Sequence, residues 1–164
     1  MVYCSNQKEH EFIHACKQHL EKEALRDAFV FTCDRMRRYE GAWHLECQPL
    51  FPGYVFLESE NEKQLAEELK KYPGISKVIQ DGRQLIPVEE VEKAFLKNLC
   101  EAGHHSGMSR GYIQDGRTYV TEGPLKGKEY LIRKIDRHKR TAQVELPAGT
   151  GGRIQVGLEI VAKG

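Results

Sequence analysis

The chain has 164 residues and a net charge of +1, with 40% hydrophobic and 30% charged side chains. That is enough for one large or two small domains with a buried core, and it excludes a disordered or collagen-like polypeptide. No apolar run reaches the roughly 18 residues of a membrane span and no signal-peptide pattern is present, so a cytoplasmic protein without membrane association is expected.

Two further compositional features carry information. The cysteines, Cys4, Cys16, Cys33, Cys47 and Cys100, are odd in number, widely spaced and without a C-x-x-C pair, and read as free buried thiols. Charge is also unevenly spread. Residues 1–107 hold 14 Lys and Arg against 18 Asp and Glu, whereas residues 108–164 hold 11 against 6. A basic C-terminal part behind an acidic N-terminal part points to polyanion binding at the C-terminal end.

In chain order, Val2-Tyr3-Cys4 is a short strand. Residues 8–24 read as a helix, with Phe12, Ile13, Cys16, Leu20 and Ala24 at helical spacing. Within it, His10, Glu11 and His14 fit H-E-x-x-H, the pattern in which two histidines one turn apart hold zinc and the glutamate activates water. A third ligand is missing, because His19 follows without the Gly turn of the extended motif. The nine residues upstream are too few for a substrate groove. Two exposed histidines on a polar helix face are therefore favoured, with a zinc metalloprotease as the alternative and an adventitious metal site at His10, His14, Cys16 and His19 as a lesser one.

Residues 28–33 form the next strand. Arg35-Met36-Arg37-Arg38 and Gly41-Ala42-Trp43 then make a hairpin-like excursion. It reads either as a solvated loop with one packed indole or as a nucleic-acid contact, since arginine binds phosphate bidentately and Trp stacks on bases. The segment Gln48-Pro49-Leu50-Phe51-Pro52-Gly53-Tyr54-Val55-Phe56-Leu57 follows. Its prolines keep the backbone extended, Gly53 permits a sharp bend, and the apolar run after it predicts a strand buried on both faces.

The run PLFPGYVF also resembles the signature of the N-terminal domain of the NusG family, transcription elongation factors that ride on RNA polymerase. The matches continue downstream. Asn61 caps a helix through Tyr72 whose inner face carries Leu65, Leu69 and Tyr72, and Pro73-Gly74 stops it. A strand over residues 75–79 and an Asp81-Gly82 turn come next, then Pro87 opens a helix over residues 88–100. Tyr-Pro-Gly-Ile at 72–75 and Pro-Val-Glu-Glu-Val at 87–91 are similar to family steps. The fold class is α+β: an N-terminal α/β sandwich with an antiparallel sheet over residues 1–102, as in NusG N-terminal domains.

Residues 103–111, rich in Gly, Ser and His, read as a linker. Residues 112–164 show short strands at 118–120, 130–135, 143–146, 153–156 and 160–161, the pattern of a small closed barrel. Within it, the segment from Val120 to Gly127 resembles a KOW motif, whose barrel is SH3-like.

The resemblance implies no enzyme, no cofactor and a monomer that docks on the clamp helices of RNA polymerase through Tyr3, Leu50, Phe51, Tyr54 and Phe56. A strand buried on both faces keeps some of these in the core. The basic run Arg133, Lys134, Arg137, His138, Lys139 and Arg140, joined by Arg117, Lys126, Lys128 and Arg153, is the candidate surface for structured RNA, with Tyr112, Tyr119 and Tyr130 as stacking surface. Family members carry an aromatic before the fourth barrel strand for Rho or a ribosomal protein. Here Pro147-Ala148-Gly149-Thr150-Gly151-Gly152 has none. The chain therefore resembles the LoaP antiterminators, with a housekeeping factor coupled to Rho or ribosomes as the alternative.

Overall fold

The computed structural model describes residues 1–4, 7–72, 85–147 and 152–164. The elements are β1 (Val2–Tyr3), α1 (Glu9–His19), β2 (Asp27–Phe29), β3 (Thr32–Tyr39), β4 (Ala42–Pro49), β5 (Tyr54–Glu58), α2 (Glu62–Lys71) and α3 (Glu90–Leu99). They continue with β6 (His105–Ser106), β7 (Ser109–Gln114), β8 (Arg117–Glu122), a 3-10 turn (Glu129–Leu131), β9 (Ile132–Asp136), β10 (Thr141–Glu145) and β11 (Arg153–Lys163). The helix pattern and the antiparallel N-terminal strands make this an α+β protein. The chain forms two compact units that do not follow chain order: residues 1–30 with 51–88, and residues 31–50 with 89–164.

In the first unit, β5 is the central strand of a sheet ordered β1-β5-β2. Val55 and Phe56 are consecutive and face opposite sides of the sheet, and both are buried. This explains the unbroken apolar run. α1 contributes Phe12 and Cys16 and α2 contributes Leu65 and Leu69 to one core with Val2, Cys4, Leu25, Ala28 and Val55. The Asn61 side chain accepts a 3.1 Å hydrogen bond from Gln64 N–H and caps α2 as expected.

α1 ends five residues before the expected boundary. Leu20 is extended, and the N–H groups of Ala24 and Leu25 both turn back to Glu21 O at 3.0 and 2.9 Å. Leu20, Ala24 and Leu25 are nevertheless buried. The apolar spacing recorded burial, and a turn meets that demand as well as a helix does.

The second unit contains the β3–β4 hairpin, registered from Thr32↔Pro49 to Tyr39↔Ala42. Its two-residue turn, Glu40-Gly41, has φ of 52° and 76°, the left-handed pair that matches the twist of the flanking strands. Residues 35–38 are therefore strand and not loop. β6 pairs in parallel with β3 in a sheet ordered β4-β3-β6. Residues 103–111 carry β6 and the start of β7. α3 begins three residues beyond Pro87, with Glu89 in extended geometry before it.

The C-terminal sheet is ordered β8-β7-β11-β10-β9. β11 is one strand of 11 residues where two were expected. Its first half pairs antiparallel with β10 and its second half parallel with β7, and Val156 and Leu158, on either side of Gly157, are buried. The expected barrel closure is not found: among the described residues β8 and β9 share no ladder. At that gap Val120 N–H donates to the Glu129 carboxylate at 3.1 Å, so a side chain satisfies the β8 backbone where a strand would.

Pro73-Gly74, the strand at 75–79, the Asp81-Gly82 turn and residues 148–151 of the final loop lie outside the described residues. Among the described residues no helix is long and apolar enough to cross a membrane.

Candidate docking patch and nucleic-acid interface

The apolar candidates divide by burial. Leu50 and Phe56 are each 5% exposed and belong to the core, whereas Tyr3, Phe51 and Tyr54 are half-buried. Tyr3 and Tyr54 meet edge to face at 5.3 Å, as directly opposed residues of β1 and β5. Phe51 packs on Phe56 at 5.2 Å, and Phe56 stacks on Phe29 at 6.1 Å. Gly53 fixes this cluster. Its φ is 84°, its carbonyl accepts from Cys4 N–H, and an added Cβ would lie 2.6 Å from the Tyr3 ring.

The ten cationic candidates do not form one patch. Arg117 is the first residue of β8, paired with Gln114 of β7, and Lys126 and Lys128 lie in the loop after β8, where Lys128 Nζ donates to Pro124 O at 3.0 Å. Arg133 is ion-paired with Glu145, whose cross-strand neighbour is Arg153. Arg153 donates to Gln143 at 3.4 Å, and Gln143 lies opposite Lys134. Arg137, His138, Lys139 and Arg140 form the β9–β10 connection. Asp136 organises it by accepting from Lys139 N–H at 2.9 Å. That bond, together with the Lys139 charge and the nearby His138, holds the Asp136 carboxyl below its usual range against the opposing effect of burial.

Arg140, one of the candidate RNA-binding cations, is held by two partners. It adopts φ of 52°, pairs with Glu159 at 3.0 Å and lays its guanidinium 4.0 Å from the Trp43 ring centroid. Glu159 is also held by Arg110 at 3.2 Å. The tyrosines separate too. Tyr112 and Tyr119 stack on each other at 5.1 Å on β7 and β8, across β11 and β10 from β9. Only Tyr130, 71% exposed, stays beside the run, its carbonyl accepting from Arg133.

The fold brings the β9–β10 connection against the arginine hairpin. A cleft of about 450 Å³ is lined by Arg35, Arg37, Arg38, Trp43, His138 and Lys139, with Met36, Glu46, Gln48 and Thr141. Arg38 and Trp43 are directly opposed in the β3–β4 ladder. Arg35 donates to the Gln155 side chain at 2.9 Å and Cys33 Sγ to Gln155 O at 3.6 Å, which fix the hairpin to β11. This juxtaposition has no local signature. Its components were visible separately, as three arginines with a Trp and as a distant basic run.

A second arrangement had no sequence signal at all. Asp34 accepts from His105 Nε2 at 2.8 Å, and Thr32 Oγ1 lies 2.7 Å from Nδ1, fastening β6 to β3. Cys47 lies 3.9 Å from the same nitrogen. Thr32 occupies that nitrogen at the shorter distance, so the group is a clasp. Cys4, Cys16, Cys33 and Cys100 are buried free thiols, as read from the sequence, but Cys47 is exposed. Burial pushes Cys4, Cys16 and Cys100 up to about 12 and Cys33 to about 11. In α1, His10, Glu11, His14 and His19 face outward while Cys16 points into the core, so the fold parts Cys16 from the three histidines. His19 stacks on Tyr72 at 5.1 Å.

Comparison with known proteins gives one family. The model for "transcription termination factor nusG" matches residues 1–96, which include the β3–β4 hairpin, β5 and its Pro-Gly bend. The chain matches no curated protein. That match spans more than half of the sequence, and the chain belongs to the NusG family of transcription elongation and termination factors, whose members bind RNA polymerase.

Proposed function

We propose that this chain is a specialised antitermination factor of the LoaP type, which docks on the polymerase clamp helices and selects its operon by binding a structured leader RNA. The observation that carries the polymerase half is the family match over residues 1–96. Tyr3, Phe51 and Tyr54 present the docking surface, and the buried Phe56 ring supports it through its contact with Phe51. Aromatic side chains held rigid by their neighbours suit such an interface, because little conformational freedom is lost on binding. The factor needs no catalytic group: bridging the polymerase cleft disfavours clamp opening and pausing.

The RNA half is supported by the net positive charge of residues 108–164 and by the exposed cations of the β9–β10 connection. The Val120–Gly127 segment resembles a KOW motif. Gly123 and Gly127 have φ of 98° and 78°, and an added Cβ at Gly123 would strike Met108 and Ser109, so this glycine-shaped loop accepts no larger residue there. Covalent linkage of the two binding functions raises the effective concentration of each partner once the other is bound.

The test is co-purification of RNA polymerase with the full chain, alongside gel shift with a structured leader hairpin. Tyr54→Ala should lose polymerase and keep RNA. Arg137→Ala should keep polymerase and lower the salt slope of RNA binding by about one unit. Polymerase retained by a folded Tyr54→Ala would remove the docking patch, and parental RNA binding by Arg137→Ala would remove that cation from the RNA surface.

A further inference from the structure

We infer that the cleft between the β3–β4 hairpin and the β9–β10 connection is the site that takes one unpaired nucleotide of the RNA, its base against Trp43 and its phosphates between Arg37, Arg38 and Lys139. This deepens the RNA reading above and rests on it. Three observations carry it. The cleft is strongly cationic: Arg35, Arg37, Arg38 and Lys139 line it with one carboxylate, Glu46. Glu46 approaches Arg37 only at 3.9 Å, and Arg38 has no ion-pair partner among the described residues. An exposed cation concentration of this kind selects a polyanion.

The second observation is the indole. Trp43 is half-buried and braced by the Arg140 guanidinium, which Glu159 holds in turn. A rigid indole with arginines around it is the arrangement on which nucleic-acid bases stack. The third is size. At about 450 Å³ the cleft falls among small-ligand sites and is far too small for a duplex. A-form RNA hides its base edges, so a nucleotide splayed from a bulge or loop is the part that enters. Charge selects the backbone and the indole selects a planar base, which together exclude a flexible acidic peptide as the better occupant.

Trp43 is the chain's single tryptophan, so its emission reports on this cleft alone. The full chain is titrated with a hairpin RNA carrying one bulged nucleotide, with the same stem lacking the bulge, and with single-stranded DNA of the bulged sequence. Anisotropy of a labelled probe and Trp43 emission are followed together. Expected are quenching that saturates with the anisotropy change, strongest for the bulged RNA, and affinity reduced at least about fivefold in Arg38→Ala and in Trp43→Ala. Trp43→Phe should restore most of the affinity, and circular dichroism checks that each variant is folded.

Three results overturn the inference and differ in what else they remove. If RNA binds with unchanged Trp43 emission and with parental affinity in Arg38→Ala, it is bound elsewhere on the C-terminal sheet and only the cleft assignment falls. If DNA binds and quenches as well as the bulged RNA, the cleft takes single strands generally and the RNA assignment falls. If no RNA binds to the folded chain, the operon-selecting role falls with it.

Discussion

Strand β5 and the β3–β4 hairpin are separated by only a few residues, and they use their side chains in opposite ways. β5 sends consecutive residues, Val55 and Phe56, into cores on both faces of its sheet. The hairpin buries Cys33 and leaves Arg37, Arg38 and Tyr39 outside. Neighbouring sequence thus divides labour: one segment is fixed by what it packs against, the other is held at a few points so that its cations stay available. Substitutions in the first should therefore act on stability, and in the second on binding.

The largest effect expected is in the first core. Phe12→Ala removes a fully buried ring and should cost about 3–5 kcal/mol, read as a lower midpoint in urea unfolding. Gly53→Ala comes next. The left-handed backbone alone costs about 1–2 kcal/mol for a residue with a Cβ, and the new methyl must also displace Tyr3. It should therefore lower polymerase affinity along with stability, which Phe12→Ala should not do in the fraction that remains folded. Asn61→Ala should cost about 1 kcal/mol through the lost α2 cap, with no effect on either partner. Arg38→Ala should change stability by no more than about 0.5 kcal/mol while weakening RNA binding. A large loss of stability in that variant would mean that the hairpin is packed and not presented.

Acid sharpens the same contrast within the C-terminal sheet. Burial would raise the Glu129 carboxyl, but hydrogen bonds from its own N–H and those of Val120 and Gly127, with the Lys128 charge, outweigh it and leave the group below its usual value. A carboxyl lowered in the folded state contributes stability above its unfolded pKa and loses it as pH falls through the folded value. Stability of the parent to thermal unfolding should therefore fall as pH drops through and below the ordinary carboxylate range, and Glu129→Gln should show a shallower decline. Equal declines would mean that the β8 edge does not depend on this carboxylate.

Local signals were legible in the sequence where chemistry was local. The Pro-Gly bend before β5 and the Asn61 cap each rest on a residue within three positions of its effect. The end of α1 was not legible, because Leu20 and Ala24 are buried by a turn at helical spacing. Nor was β7, whose Ser109 and Gly111 look like linker until β11 pairs beside them. The site was legible as parts only. Arg38 and Trp43 signalled one possibility and Arg140 another, and nothing short of the folded chain puts an arginine from residue 140 on an indole at residue 43. The ion pairs that occupy Arg133 and Arg140 were invisible for the same reason, since Glu145 and Glu159 are distant in sequence.

The most direct measurement compares polymerase co-purification and RNA affinity for the parent, Tyr54→Ala and Arg38→Ala in parallel. Separate surfaces require a crossed outcome: Tyr54→Ala loses polymerase and retains RNA, and Arg38→Ala retains polymerase and loses at least about fivefold in RNA affinity. If either folded variant loses both partners together, or neither loses any, the division between an apolar docking segment and a cationic hairpin is contradicted.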